Sequence, residues 1–394
     1  MKQSTSLLFL GSLFIFYSCS NSTESEIATS YPNVIEAFTG KIDLNSLSNY
    51  ANQTKPAYIT KDNTAGNPIT DKGATLGRVL FYDKNLSSNN TISCASCHIQ
   101  ANAFGDDTDA SDGVNGTTTR HAMRLVNSRF SNERKFFWDE RAATLELQTS
   151  EPIKNHIEMG FSGTSGDGSI TTLISKLQAI GYYKELFKYV YGSEEITESK
   201  LQNALAQFIR SIQSFDSKYD AGRSAVQNDN QAFPNFTTQE NQGKTLFLTP
   251  PVFDGLGVRT SGGFGCAACH AAPEFDIDPN TKNNGIIGVL NGTGIDITNT
   301  KAPSLRDLVN ANGIPNGPMM HTGGLVTLQN VIGHYGSINL AARNTNLDPR
   351  LAPNGFGQQL NFQPGEVNAL IAFIKTLTGT NVYSDPKWSS PFKQ

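Results

Sequence analysis

Cys94-Ala95-Ser96-Cys97-His98 and Cys266-Ala267-Ala268-Cys269-His270 are the two places where residue types and spacing in this chain specify chemistry. Each is a Cys-x-x-Cys-His run, the attachment signature of a c-type haem. Two thiols on one turn reach the two vinyl groups of a single porphyrin. The His that follows turns its imidazole toward the iron as the proximal ligand. A redox dithiol or half of a zinc site uses the same Cys spacing and leaves the His incidental. The two motifs lie far apart and neither sits in a βαβ pattern, which disfavours both alternatives. The chain therefore reads as carrying two covalently bound haem c groups, one at Cys94, Cys97 and His98, the other at Cys266, Cys269 and His270.

Four of the five Cys are in those motifs, and the fifth is Cys19. None is left for a structural disulfide, so the compartment must be read from the N-terminal residues. Lys2 precedes an apolar run, Leu7 to Tyr17, too short to cross a bilayer comfortably. Ser18-Cys19 and the polar Ser20-Asn21-Ser22-Thr23-Glu24 follow. The pattern resembles a bacterial lipoprotein signal, with residues 1–18 removed and a lipid placed on the Cys19 thiol. Phe16-Tyr17 depart from the usual Leu-Ala at that boundary, and a plain secretory signal is the other reading. Both imply export, as haem c attachment requires. The expected location is periplasmic, with the membrane reached only through Cys19. A formal charge of −4 is mild and argues against a nucleic-acid partner.

The elements that position the motifs repeat. Leu76-Gly77-Arg78-Val79-Leu80-Phe81 precedes the first motif and Gln242-Gly243-Lys244-Thr245-Leu246-Phe247 the second. Each half also has a late amphipathic helix. Leu201 to Phe215 lines up Leu201, Leu205, Phe208 and Ile212, and Glu366 to Leu377 lines up Val367, Leu370, Ile371 and Ile374. These helices would close over each haem edge. Stretches rich in Gly, Asn, Asp and Thr, such as Asp106 to Thr119 and Asp276 to Thr300, favour turns over strands and would wrap the porphyrins. The expected fold is all-α: two cytochrome c-like helical domains with long haem-wrapping loops. Residues 71–222 form the first domain and 236–385 the second, with the polar segment Ala221 to Phe236 as linker. Residues 19–70 are an N-terminal extension in which Asn33 to Leu47 includes a helix and Ala57 to Ile69 is extended.

Over roughly residues 70–380 the chain resembles the bacterial di-haem cytochrome c peroxidase family. The first half contributes Leu76 to Asp83, the first haem motif, Phe137-Trp138-Asp139-Glu140-Arg141-Ala142, Glu151-Pro152 and Ile157-Glu158-Met159. The second contributes Ala302-Pro303-Ser304-Leu305-Arg306, Met320-His321-Thr322-Gly323-Gly324 and Leu377-Thr378-Gly379. The resemblance implies that peroxide binds at the N-terminal haem. It implies that the C-terminal haem takes electrons from a small cytochrome c or copper protein. Glu158 matches the family's catalytic Glu, and the chemistry agrees: splitting peroxide needs a group that takes a proton from one oxygen and returns it to the other. Gln148 matches a pocket amide that would hydrogen-bond bound peroxide. Trp138 matches the aromatic between the two haems, where an indole can relay electrons.

Departures from the family also matter. Many members carry a His in the loop after the first motif that blocks the peroxidatic iron. That place falls near Gly113 here, and no His is there. His121 stands where an Asn usually helps bind an interdomain calcium ion; His suits calcium poorly, so calcium is doubtful, and His121 reads as structural or as a displaced iron ligand. His156 lies close to Glu158 and receives no role. At the second haem the family's distal Met becomes Tyr335, as in the di-haem enzymes that mature the tryptophan tryptophylquinone cofactor of methylamine dehydrogenase. His334, Met319 and Met320 compete with it. Trp388 lies outside the motifs.

The leading expectation is a di-haem cytochrome c peroxidase that reduces hydrogen peroxide to water. One alternative is a high-valent di-haem oxidase acting on a protein or small-molecule substrate, at which Tyr335 hints. Another is a non-catalytic di-haem electron-transfer cytochrome, which would gain nothing from an open iron. Assembly as a homodimer stays open.

Overall fold

Two helix crossings set the architecture. In the computed structural model, which describes residues 30–131, 135–277 and 281–393, the helix Asp71–Tyr82 packs on Glu198–Ser211, and Thr238–Leu248 packs on Glu366–Lys375. Thr70, Thr197 and Thr237 each cap a following helix by accepting a backbone N–H. Both crossings hinge on a glycine. A Cβ on Gly77 would stand 2.0 Å from the Ala204 carbonyl oxygen, and one on Gly243 would stand 1.9 Å from that of Ala369. No other residue allows the helices to approach so closely. One turn on, Phe81 meets Phe208 and Phe247 meets Phe373, with ring centroids 5.1 and 5.3 Å apart. The repeat seen around the haem motifs is thus a repeat of packing.

The remaining helices are Pro32–Ala37, Cys94–Cys97, Leu145–Ser150, Ile170–Gln178, Gly181–Tyr191, Lys218–Ser224 and Leu328–Gly336. The molecule is helix-rich, as expected, but among the described residues the loops contain three two-stranded antiparallel ribbons: Asp112–Gly113 with Gly116–Thr117, Pro251–Phe253 with Arg259–Gly262, and His270–Ala271 with Asp276–Ile277. The Gly- and Asn-rich composition that disfavoured strands also makes the tight turns that short hairpins need.

Both late helices stop short of their expected ends, for matching reasons. Glu198–Ser211 ends because Asn127 takes the chain: its N–H donates to Ile212 O (3.0 Å), and its side chain accepts from Ser214 N (2.9 Å) and donates to Ser214 O (3.0 Å). Glu366–Lys375 ends where Asp307 N donates to Leu377 O (3.3 Å) and Gly379 N donates to the Asp307 carboxylate (2.8 Å). Asn127 and Asp307 both hold positive φ, 60° and 52°. Tertiary pairing overrides the helical pattern at both places.

Two apolar cores sit on these crossings. The first recruits Val34, Phe38 and Tyr50 from the N-terminal segment, where the helix covers only Pro32–Ala37, and Val382 and Trp388 from the far end of the chain. Tyr50 and Tyr82 hydroxyls donate to the carbonyls of Lys387 (2.5 Å) and Trp388 (2.7 Å), and Arg78 Nε donates to Ser389 O (2.6 Å). Trp388 is therefore a core residue of the first half. The segment Ala221 to Phe236, read as the domain linker, begins inside the helix Lys218–Ser224, and its Phe233 and Phe236 are buried in the second core. Two isolated aromatics in a polar stretch anchor it. No helix of the described residues is long and apolar enough to cross a membrane. Lys2, the run Leu7 to Tyr17 and Cys19 lie outside the described residues.

Candidate functional site

The first haem motif opens on a cavity of about 420 Å³ lined by Cys97, His98, Leu145, Gln148, Pro152, Glu158 and Trp138, among others. His98 Nδ1 lies 3.2 Å from Phe104 O, so with the proton on Nδ1 the Nε2 lone pair is free for a metal. Burial lowers the His98 pKa and favours the neutral imidazole that a ligand must be. Burial also pushes the thiols of Cys94 and Cys97 up, to about 12 and about 11. A haem attached at these three residues fits the site.

Glu158 and Gln148 reach this cavity from different elements. Gln148 rides the helix Leu145–Ser150, which Thr144 caps. Glu158 sits in a turn where the Asn155 carboxamide oxygen accepts from Ile157 N (2.9 Å) and Glu158 N (3.1 Å). The turn is clamped from behind: Val114 N donates to Glu158 O (3.0 Å) and Asn115 N to Ile157 O (3.2 Å). A Cβ on Gly113 would lie 2.1 Å from Ile157 O and 2.9 Å from Glu158 Cα. So Gly113 packs its bare backbone against the Glu158 turn, with no room for a side chain there. Glu158 is half-buried. Burial raises its pKa, opposed by the nearby charge of Arg141 and reinforced by Glu151. A carboxyl raised in this way can both accept and return a proton near neutral pH. His156 does not join the pair; it is partly exposed and its Nδ1 lies 2.9 Å from Asp167.

The second motif opens on a larger cavity of about 620 Å³, lined by Cys266, Cys269, His270, Met319, Met320 and Tyr335 together with aliphatic residues. Burial drops His270 to about 4 and raises Cys266 to about 12. His270 Nδ1 is buried beside the carbonyls of Pro303 and Phe275 and closes no hydrogen bond. This neutral, desolvated imidazole also fits an iron ligand. Tyr335 lies near the end of the helix Leu328–Gly336, and burial raises its phenol pKa well above the usual value. The neighbouring His334 does not reach the cavity; its Nε2 lies 2.9 Å from Asn284 O. Met320 Sδ is within 3.4 Å of Asn284 Nδ2.

Trp138 lines both cavities and is buried. Its Nε1 donates to His121 O (2.7 Å), while its own carbonyl accepts from Lys301 N (2.8 Å). His121 N in turn donates to His321 O (2.9 Å), and the His121 ring is engaged with Thr108 O at 2.9 Å. His121 thus joins the two halves through its backbone. Among the described residues no group of three or more His, Cys, Asp or Glu is arranged to hold a metal ion.

Sequence reasoning missed Arg124, which also lines both cavities. The signal was present. Ala122-Met123-Arg124-Leu125-Val126-Asn127 runs parallel to Ala302-Pro303-Ser304-Leu305-Arg306-Asp307, and Asn127 and Asp307 play equivalent structural roles.

The geometry defines a protein with two haem-binding cavities joined by a buried indole. The family model for di-haem cytochrome c peroxidase matches residues 71–229. Methylamine utilization protein MauG of Methylophilus methylotrophus is 29% identical over 322 residues, covering 79% of this chain and 84% of that one. Cytochrome c551 peroxidase of Nitrosomonas europaea is 28% identical over 318 residues, covering 78% and 80%. A solved MauG-like protein associated with microbial copper homeostasis superposes with a TM-score of 0.66 at 28% identity, covering 86% of this chain and 99% of that one. The chain is thus similar to di-haem cytochrome c peroxidases and MauG proteins over most of its length, and residues 71–229 match that family's model.

Proposed function

We propose that this protein reduces hydrogen peroxide to water at the His98 haem, with electrons that enter at the His270 haem from a small cytochrome c or copper protein. Haem bound at His98 would supply the iron that takes peroxide. The protein's own part is proton handling and positioning. The Glu158 carboxylate takes a proton from one peroxide oxygen and returns it to the leaving oxygen, and the Gln148 amide orients the bound molecule. Trp138 spans the wall between the haems. Two electrons and two protons per peroxide yield two waters.

The observation that carries this reading is Glu158, raised by burial in the same cavity as His98 while Gly113 clamps its turn. With Gly113 packed there, no residue of that loop position can block the iron. The fully ferric protein should then react with peroxide without prior reduction. Stopped-flow mixing of ferric protein with peroxide should give a fast Soret change; inertness until an electron is added would overturn the open-site reading.

Tyr335 favours a second reading, an oxidase that turns peroxide's oxidising power on a protein or small-molecule substrate. A phenolate ligand would lower the potential of the second haem relative to a Met ligand. Steady-state consumption of two reduced donor cytochromes per peroxide supports the peroxidase. Slow or absent donor oxidation alongside rapid reaction with peroxide supports the oxidase. Residues 71–222 and 236–385 are proposed as the two haem domains, with the mature protein periplasmic and anchored at Cys19.

A further inference from the structure

Among the described residues, Arg124 carries a charge without an adequate partner. Its Nη2 reaches Ser304 O at 3.4 Å, a long hydrogen bond, and its Nε is buried with no acceptor. Burial lowers its pKa to about 10, so it stays protonated at neutral pH; Asp307 and Tyr383 act on it only through space. Gly105, just beyond the first haem motif, makes room for it, since a Cβ there would lie 2.7 Å from Arg124 Cγ. Buried guanidinium groups without a carboxylate or full hydrogen bonding are costly and uncommon.

Its position accounts for this. Arg124 lines the His98 cavity and the His270 cavity at once. It follows Met123, whose carbonyl lies beside the His98 ring, as the Pro303 carbonyl lies beside the His270 ring. Its charge is also felt at His270 directly. The equivalent place in the second half holds the small neutral Ser304, whose carbonyl Arg124 touches. The repeat therefore shows that the fold needs no Arg here, and that one such residue, near the meeting of the two halves, faces both sites.

We propose that Arg124 is an electrostatic positioning residue shared by the two haem sites, its desolvated positive charge favouring the ferrous state of both irons. Adding an electron to either haem adds negative charge near a fixed cation in a poorly screening interior, where charges interact strongly. Haem carboxylates are anions of the class that could complete its hydrogen bonding. The proposal rests on the two-haem reading, so haem is counted first, by pyridine haemochrome, in every variant.

Arg124→Ser copies the residue of the repeat, Arg124→Gln keeps bulk without charge, and Arg124→Lys keeps charge. Spectroelectrochemical titration of the neutral variants should move both midpoint potentials negative by about 59 mV or more, a tenfold change in the ferrous-to-ferric ratio. Arg124→Lys should stay near wild type. Unmoved potentials, or movement at one haem alone, in protein that holds two haems would overturn the shared role. If the neutral variants fail to keep haem, loss at both sites with retention by Arg124→Lys supports it, and loss at one site overturns it. Wild-type protein with fewer than two haems would instead defeat the two-haem reading.

Discussion

The cavity around His98 includes Glu158 and Gln148 in its wall; the larger one around His270 includes Met319, Met320 and Tyr335, with Asn284, Asp348 and Gln358 as its own polar groups. Beneath these walls the two halves are close copies. Each crosses two helices at a glycine, stacks a Phe pair one turn on, and pairs the chain leaving its late helix with a positive-φ residue from earlier in the sequence, Asn127 or Asp307. Each also places a positive-φ Phe, Phe104 or Phe275, beside its haem histidine. The comparison teaches where chemistry is written. The helices and the haem motif supply a common holder. Side chains that differ between the two cavities, Glu158 and Gln148 in one and Met319, Met320 and Tyr335 in the other, come from segments inserted between those elements, the 145–158 region in the first half and the 319–335 region in the second.

The strongest way to break that comparison is to remove the proton carrier from one side. Glu158→Gln should lower peroxide turnover by roughly 10²–10⁴-fold while both haems stay bound, since the amide keeps size and polarity and loses the acid–base function. The His270 haem spectrum should not change. The same variant tests the sign of a pH effect. The reaction begins with an ionised carboxylate, and burial raises the Glu158 pKa. In wild type kcat/KM should therefore fall as pH drops through a value above the ordinary Glu range, and this acid limb should vanish in Glu158→Gln.

Next in size are the two crossings. Gly77→Ala and Gly243→Ala each force a methyl onto a backbone carbonyl and should each destabilise by about 1–3 kcal/mol in denaturant unfolding. Equal costs sharpen the likeness of the halves; a cost at one glycine alone would show that only one crossing is rigid. Tyr335→Phe should alter the low-spin signal of the second haem and leave the first untouched. An unchanged signal transfers the ligand role to Met319 or Met320. The smallest effect belongs to His156, which is partly exposed and paired with Asp167. His156→Ala should keep turnover within roughly twofold, on the scale of ±0.5 kcal/mol for surface changes.

What could be read in the sequence follows the range of the interactions. The haem motifs are local, and both open on cavities that suit a haem. The amphipathic faces of the late helices were legible too: Leu201, Leu205, Phe208, Leu370 and Ile374 are all buried. The helix ends were not, because Asn127 and Asp307 act on them from far along the chain. Phe233 and Phe236 escaped notice because a polar neighbourhood hides isolated anchors. Between Tyr335 and His334, one residue apart, sequence could not choose; the structure turns Tyr335 into the cavity and His334 toward Asn284. Arg124 was invisible for a different reason. Its meaning depends on two cavities meeting at one side chain, and no local pattern encodes that.

The far end of the chain has a consequence for how the molecule is built. Val382 and Trp388 complete the first core, and the carbonyls of Lys387, Trp388 and Ser389 serve Tyr50, Tyr82 and Arg78. A ribosome delivers these residues after both Cys-x-x-Cys-His motifs. Until they arrive, the half that is made first lacks part of its apolar filling and three of its hydrogen-bond acceptors. Cys94, which packs against that core, thus sits beside a nucleus that cannot close early. Closing it late costs little, because the entropy of joining distant segments grows only slowly with their separation. The segment acts as a latch on the first core, which closes only when residues from beyond the second core have joined it.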